Sequence, residues 1–305
     1  MKKGLVALAA CLALIVAAGC YWVFALGAVQ PDGPVAAPGT RPFELLTYQS
    51  RLLGMPRQYA LFLPPGYTSH PERRYPTIYL LHGGHGQASD WFIKGDAGGV
   101  IDRLYRSGAL PESIVVAPDG NDRRGSSPFF DPDYVDGPNG RVLSAIGSEL
   151  VQLIDQRYRT IPDPRLRAIG GLSSGGWGAF NIGLHYPTTF SVLFSHSGYF
   201  HYSGSGDRSI NSPALFVDQL SPAKLLPLAF YLDAGRQDGE FLSETKQFAR
   251  QLARMQLNVT FHAYPGGHGL VGPDAGWNYW HKHLADSLTL VGTRFKQALA
   301  QDARR

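Results

Sequence analysis

Apolar and polar residues alternate along most of the chain in blocks that predict a layered α/β fold. Six short apolar runs, rich in β-branched and aromatic residues, are predicted strands. They are residues 77–82 (TIYLLH), 113–118 (SIVVAP), 165–171 (RLRAIGG), 191–196 (SVLFSH), 229–235 (AFYLDAG) and 258–265 (NVTFHAYP). Helical patterns separate them, near residues 97–107, 143–158, 175–185, 240–256 and 278–298. This alternation predicts a mostly parallel central sheet with helices on both faces.

An earlier extended stretch, RQYALFLPPGY at residues 57–67, is predicted to add an antiparallel edge to the sheet. No repeat and no second linker interrupts the chain after it, so residues 42–305 are predicted to form one domain. In sheets of this type, ligands bind at the carboxyl ends of the strands. Functional residues are therefore expected in the loops that follow the predicted strands.

The first thirty residues form a separate region, because no charged residue occurs between Lys3 and Asp32. The apolar run is long enough to cross the roughly 30 Å hydrocarbon layer of a membrane. We expect residues 1–30 to be a signal or membrane-anchor segment, with the domain facing outward because Lys2 and Lys3 stay inside. A lipoprotein signal ending at Cys20 and a cleaved export signal are the alternatives. Residues 31–41, rich in Pro and Gly, are the expected linker.

The composition of the chain argues against two classes of function, nucleic-acid binding and cysteine chemistry. The formal net charge is only +4, so no basic face for nucleic acid is indicated. The two cysteines, Cys11 and Cys20, both lie in the apolar segment. The predicted domain is therefore expected to use neither disulfides nor thiolate chemistry.

The most informative motif is Gly171-Leu172-Ser173-Ser174-Gly175, a G-x-S-x-G sequence between a predicted strand and a predicted helix. A nucleophile on such a sharp turn needs glycine two residues before and two residues after it. Ser173 meets this condition and Ser174 does not, because Leu172 occupies the position two residues before Ser174. Ser173 is the predicted nucleophile, and the alternative is a turn whose serines only cap the helix.

A serine nucleophile needs a histidine base and a carboxylate that orients it. In the order typical of α/β-hydrolases, serine, acid, histidine, the strand AFYLDAG is followed by Asp238 and the next strand by His268. Asp233 and Glu240 are competing acids, but Asp233 is expected to point into the sheet and Glu240 to open a helix. The competing histidines occupy a strand or the last helix: His262, His281 and His283.

The loop after the first predicted parallel strand reads His82-Gly83-Gly84-His85-Gly86. Glycines let the backbone approach a substrate closely, so this loop is expected to supply one N–H donor to an oxyanion. A simple turn is one alternative. A metal site on His82 and His85 is another, although it lacks a third ligand at a recognisable spacing. No metal or cofactor is predicted.

Several segments together resemble one enzyme family: LFLPPGY, YPTIYLLHGGHG followed by Asp90-Trp91, SIVVAPDG, AIGGLSSGGWGAF, Ser197-Gly198 and PGGHG. They are similar to the α/β-hydrolase family that includes enterochelin esterases, feruloyl and acetylxylan esterases, formylglutathione hydrolases and mycolyltransferases. The resemblance runs from about Tyr48 to the last helix. It implies an α/β-hydrolase fold with Ser173 as nucleophile, Asp238 as acid, His268 as base, and Gly84 and Ser174 as oxyanion donors.

The expected function is that of an exported serine esterase that cleaves a small-molecule ester through an acyl-enzyme. An acyltransferase that passes the acyl group to an alcohol needs the same residues and stays open, as does a non-catalytic binding module on the same fold. Loops 121–141 and 199–213 mix polar and aromatic residues, which suits a sugar or aromatic acyl ester better than a long lipid chain. The candidate substrate contacts are Trp91, Phe130, Tyr134 and Tyr199.

Overall fold

The computed structural model describes residues 2–22, 30–36, 38–125, 134–204 and 206–304. The strands in these residues are β1 (Glu44–Ser50), β2 (Met55–Phe62), β3 (Thr77–Leu81), β4 (Ile114–Pro118), β5 (Asp136–Gly137), β6 (Gly140–Arg141), β7 (Arg167–Leu172), β8 (Val192–His196), β9 (Ala229–Gly235) and β10 (Asn258–Tyr264). The helices are α1 (Lys2–Cys20), α2 (Gly66–Ser69), α3 (Asp90–Ile93), α4 (Ala97–Arg106), α5 (Val142–Ser144), α6 (Val151–Arg157), α7 (Ser174–His185), α8 (Arg208–Asn211), α9 (Pro213–Phe216), α10 (Pro222–Leu225), α11 (Glu240–Arg254) and α12 (Trp277–Asp302). A π-helical segment, Ala145–Leu150, joins α5 to α6.

Eight of these strands form one sheet in the order β1-β2-β4-β3-β7-β8-β9-β10. Six neighbouring strands, β4, β3, β7, β8, β9 and β10, are mutually parallel. β2 runs antiparallel to both of its neighbours, β1 and β4. This is the mostly parallel α/β sheet that the sequence predicts. The carboxyl ends of β7, β8, β9 and β10 therefore lie side by side along one border of the sheet, which is the sheet edge referred to in the description of the site below.

The predicted antiparallel edge strand is corrected in one respect. β2 is antiparallel as expected, but it pairs with β1 on one side and with β4 on the other, so β1 is the edge. In β1 (ELLTYQS), Glu44, Leu45, Thr47 and Gln49 are exposed, whereas Tyr48 and Ser50 are buried. An edge strand that is covered only in part lacks the continuous apolar run that marks the inner strands.

The hydrophobic core has two halves, one on each face of the sheet. Along β3, Tyr79 and Leu81 pack on the face covered by α6, α7 and α11, and Ile78 and Leu80 pack on the face covered by α4 and α12. Every residue of β3 is buried because helices cover both faces, as is usual for parallel strands. The sheet is thus a rigid base from which the loops at the carboxyl ends project.

The apolar helix α1 is exposed from residue 3 to residue 20. Its window Lys3–Cys20 has a mean hydropathy of 2.2, and none of the window is buried. In length and composition the helix is sufficient to cross a membrane, a test that signal sequences also pass.

Candidate active site

Ser173 lies on the sharp turn between β7 and α7. Its backbone has φ 50° and ψ −122°, a left-handed conformation that is strained for any residue except glycine. The turn is held by hydrogen bonds at both sides: the Ser173 N–H donates to the His196 carbonyl at 2.9 Å, and the Gly176 N–H donates to the Ser173 carbonyl at 2.9 Å. The hydroxyl group is therefore presented at the sheet edge in a fixed position.

The glycines around Ser173 are required by close backbone contacts. A Cβ on Gly171 would lie 2.6 Å from the Gly175 carbonyl oxygen, and a Cβ on Gly175 would lie 2.3 Å from the His82 carbonyl oxygen. Neither distance is sterically possible, since both neighbours are backbone atoms. The requirement for glycine two residues before and two residues after Ser173, which the sequence predicts, therefore has a steric cause in the structure.

Asp238 and His268 come together at the carboxyl ends of β9 and β10. The His268 Nδ1–H donates to Asp238 Oδ1 at 3.0 Å, and the His268 backbone N–H donates to the same oxygen. Gly267 makes this approach possible, because a Cβ there would lie 2.2 Å from the carboxyl carbon of Asp238. The carboxylate therefore fixes both the ring and the backbone of His268.

The other carboxylate oxygen of Asp238 is also satisfied. It accepts a hydrogen bond from the Ser197 hydroxyl at 2.5 Å and one from the Gly235 N–H at 3.1 Å. Burial would raise the pKa of Asp238, but the hydrogen bonds from His268 and Ser197 outweigh burial, and the net pKa is lowered. Asp238 is consequently an ionised carboxylate at neutral pH.

The competing acids occupy different environments. Asp233 is fully buried under the sheet edge, where it accepts hydrogen bonds from His196 Nδ1 at 2.7 Å and from the Tyr279 hydroxyl at 2.9 Å. Glu240 is the exposed first residue of α11. Among the three candidate carboxylates, the hydrogen bond from His268 goes to Asp238.

The competing histidines also have other partners. His281 Nδ1–H donates to the Gly95 carbonyl at 2.8 Å, and His283 Nδ1–H donates to Asp286 at 2.9 Å. His262 stacks on Tyr264 along β10.

Two aromatic rings that the sequence analysis does not single out surround His268. Phe241, in the first turn of α11, stacks on the imidazole with ring centroids 4.2 Å apart, and Trp280 of α12 meets it edge-on at 5.3 Å. His268 Nε2 is buried and has no hydrogen-bond partner among the described residues. Asp238, Phe241 and Trp280 thus hold the ring on three sides.

A cleft of about 1270 Å³ lies above the sheet edge. Ser173 and His268 both line it, and so do the expected oxyanion donors Gly84 and Ser174. Its aromatic wall includes Tyr199, Phe241, Trp277 and Trp280, and Trp22 also lines the cleft. Its charged rim includes Lys94, Arg124, Arg208, Glu240 and Glu244.

The four candidate substrate contacts have different locations. Tyr199 lines the cleft and stacks on Trp177 at 5.4 Å. Trp91 is a correction: its side chain is fully buried, and its indole N–H donates to the Leu81 carbonyl at 2.9 Å. Tyr134 is a second correction, since it is 1% exposed and its hydroxyl donates to the His82 carbonyl at 2.8 Å. Phe130 lies outside the described residues.

Trp91 and Tyr134 support the site from below because their polar atoms hold the backbone of the loop after β3. His82 has the same role. Its Nδ1–H donates to the Gly83 carbonyl at 2.7 Å, and its Nε2 accepts from the Gly120 N–H at 2.8 Å. With both ring nitrogens engaged, His82 has none left for the metal site considered above.

A serine on a strained strand-to-helix turn in a mostly parallel sheet defines the α/β-hydrolase class. The family model described as "Putative esterase" matches residues 50–290, and the chain belongs to this family.

Individual relatives extend this comparison. The chain is 28% identical to a ferulic acid esterase of known structure, with a TM-score of 0.73, and the match covers 83% of this chain and 99% of that one. It is 31% identical over 161 residues to an endo-1,4-beta-xylanase/feruloyl esterase of Xylanibacter ruminicola, covering 50% of this chain and 21% of the relative. It is 27% identical over 251 residues to the iron(III) enterobactin esterase of Dickeya dadantii, covering 78% and 53%. The chain thus spans between a fifth and about half of the length of these two curated relatives.

Replacing Ser197 by alanine is expected to lower stability in a pH-dependent way. The hydroxyl holds the pKa of Asp238 down, so the ionised carboxylate stabilises the fold above the unfolded pKa of about 4, and this contribution is lost as the pH falls through the lower folded pKa. We expect Ser197→Ala to lose about 2 kcal/mol at pH 7, and the difference from wild type to shrink as the pH falls below about 4.

Urea unfolding between pH 7 and pH 3 measures this difference. Ser203→Ala, at an exposed serine of the same cleft, is the matched control and should unfold like wild type. A loss of stability in Ser197→Ala that is the same at every pH would contradict the role assigned to its hydrogen bond.

Proposed function

We propose that the protein is a serine carboxylic ester hydrolase, with Ser173 as nucleophile, His268 as base and Asp238 as the orienting acid. The proposal rests on one arrangement: Asp238 fixes His268 through Nδ1, Nε2 has no partner among the described residues, and His268 and Ser173 line the same cleft. This is the arrangement that activates a serine hydroxyl. The names of the relatives, which are esterases, support the same reaction.

In the proposed reaction, His268 Nε2 accepts the proton of Ser173 as the serine oxygen attacks the ester carbonyl carbon. The electron pair of the carbonyl moves to its oxygen, which is stabilised by the backbone N–H groups of Gly84 and Ser174 and by the N-terminus of α7. When the carbonyl re-forms, the alcohol leaves with the proton from His268. Water then repeats the cycle on the acyl-enzyme and releases the acid.

Asp238 stays ionised during this cycle because its pKa is lowered by hydrogen bonds, and its negative charge stabilises the imidazolium that forms on His268. Phe241 and Trp280 exclude water from two sides of the ring. Exclusion of water strengthens the electrostatic interaction between the two charged groups.

The shape of the cleft favours an ester with a bulky, planar acyl group. A volume of about 1270 Å³ far exceeds what an acetyl group fills, and the aromatic wall suits a flat apolar ring. The charged rim suits a polar alcohol such as a sugar. Feruloyl esterases among the relatives support an aromatic acyl group.

We further propose that residues Lys3–Cys20 cross a membrane and hold the domain on its outer side. The helix is apolar and exposed along its length, and Lys3 precedes the apolar residues. A cytoplasmic lysine next to an apolar span directs the following domain outward.

Replacing Ser173 by alanine should lower kcat/KM for p-nitrophenyl acetate at least about 10³-fold, because the nucleophile is lost. Ser174→Ala is the matched control: it removes the neighbouring hydroxyl but keeps the backbone N–H assigned to the oxyanion, so its activity should stay within about tenfold of wild type. Steady-state kinetics on the folded variants measures both. An active Ser173→Ala enzyme would contradict the mechanism.

Replacing Tyr199 by alanine should lower kcat/KM about tenfold for methyl ferulate and leave p-nitrophenyl acetate hydrolysis within about twofold. The reason is that an aromatic acyl group reaches the wall that Tyr199 forms, whereas an acetyl group stays at Ser173. Comparing the two substrates on one variant separates substrate recognition from damage to the catalytic residues. Equal losses on both substrates would contradict the aromatic acyl assignment.

Placing arginine in the apolar helix, as Leu12→Arg with Ile15→Arg, should release the protein from membranes. Each arginine at the centre of a span costs about 3 kcal/mol. Alkaline carbonate extraction followed by sedimentation measures the membrane fraction. Leu226→Arg, at an exposed leucine of the domain, is the control and should sediment with membranes like wild type. Wild-type protein in the soluble fraction would contradict the proposed span.

A further inference from the structure

Two residues between the apolar helix and the domain contact the loop that carries His268. The Gln30 Nε2–H donates to the Ala275 carbonyl at 3.0 Å, and Gln30 Oε1 accepts from the Trp277 N–H at 2.8 Å. Asp32 Oδ2 accepts from the Gly272 N–H at 2.7 Å. Both residues lie before residue 50, where the family match begins. We call this pair, Gln30 and Asp32, the N-terminal clamp.

The clamp is built as one unit and is close to the cleft. Gln30 is only 9% exposed and itself lines the cleft. Its Nε2 also donates to Asp32 Oδ1 at 3.1 Å, which connects the two side chains. The Asp32 carbonyl accepts from Asn278 Nδ2 at 2.9 Å. Four hydrogen bonds thus join residues 30 and 32 to residues 272–278.

Residues 272–278, which the clamp contacts, are hydrogen-bonded to Gly267, the residue before His268. The Gly267 N–H donates to the Asp274 carbonyl at 3.0 Å, and the Gly276 N–H donates to the Gly267 carbonyl at 2.8 Å. Any shift of residues 274–276 therefore moves Gly267, and with it the backbone of His268.

Apart from the clamp, the loop is held mainly by polar contacts, such as those of the Gly266 N–H with Gln237 and of Lys282 with Asp274, and apolar packing adds little. Gly266 and Gly267 adopt positive φ angles of 92° and 132° and have no side chains to pack. Leu270 and Val271 are 63% and 69% exposed, so they contribute little to a core. A loop of this composition is flexible unless an outside group fixes it.

The clamp also caps the last helix. The Trp277 N–H is one of the first N–H groups of α12, which have no partner inside the helix, and Gln30 Oε1 satisfies it from a distant part of the chain. Gly276 has a φ of 53°, and a Cβ there would lie 2.5 Å from the Gly269 carbonyl oxygen and 2.7 Å from Gln30 Oε1, so glycine is needed at this position. Since Trp280 lies one turn further along and contacts His268, the cap fixes a second side of the base.

We propose that Gln30 and Asp32 are positioning residues for His268, so that this pair, which precedes the family match, supports the active site. The inference rests on the proposed function of His268. The clamp holds the loop and the start of α12, and these in turn hold the imidazole relative to Ser173.

The test uses the full chain with both residues replaced, Gln30→Ala/Asp32→Ala. We expect kcat for p-nitrophenyl acetate to fall about 10-fold to 100-fold, as small misplacements of a catalytic group do, with KM within about twofold of wild type. Amide hydrogen exchange of residues 266–276 should become faster. Asp32→Asn keeps an oxygen acceptor for the Gly272 N–H, so this variant should stay within about threefold of the wild-type kcat.

Val35→Ala is the matched control, since Val35 lies in the same segment and is 87% exposed. It should change neither kcat nor loop exchange. An unchanged exchange rate in the double variant would overturn the clamp, and faster exchange with an unchanged kcat would overturn its positioning role. An Asp32→Asn variant as slow as the double variant would overturn the hydrogen-bond account.

Other results would show that the proposed esterase function is wrong, and they are distinct from those that test the clamp. These results are full activity in Ser173→Ala, or wild-type protein that hydrolyses no ester. In either case the exchange rate of residues 266–276 still decides whether the clamp holds the loop.

Discussion

The whole site depends on the close approach of two backbone segments around Ser173. Gly171 and Gly175 meet with no room for a side chain, and this contact forces the serine into a positive φ. The strain is held by the sheet, since the Ser173 N–H donates to the carbonyl of His196 at the end of the neighbouring strand β8. A central position in a rigid parallel sheet lets the fold keep a conformation that would cost about 1–3 kcal/mol in isolation.

The same device recurs one strand further along. Ser197, directly after β8, also has φ 50°, and its N–H donates at 2.8 Å to the carbonyl of Asp233 in β9. Its hydroxyl reaches Asp238, which in turn holds His268. The ends of four adjacent strands are therefore linked through hydrogen bonds from the turn at Ser173 to His268. The site is an extension of the sheet rather than a set of independent loops.

The sequence predicts the local features well and the long-range ones poorly. The inner strands and the G-x-S-x-G turn follow from apolar runs and glycine spacing, and these signals are local. Trp91 and Tyr134 are assigned to substrate because an aromatic residue near a motif looks the same whether it lines a cleft or supports it from below, and only tertiary burial separates the two. The contacts of Gln30 have no local signal at all, since its partner Ala275 is 245 residues away. The roles of Ser173, Asp238 and His268 stay predictions.

Covalent labelling shows directly which serine is the nucleophile. Full-length protein is treated with a fluorophosphonate, digested, and the labelled peptide is sequenced by mass spectrometry. We expect one adduct, on Ser173, because this residue lies on the strained turn and lines the same cleft as His268. An adduct on Ser174, or a folded protein that carries none, would contradict this assignment.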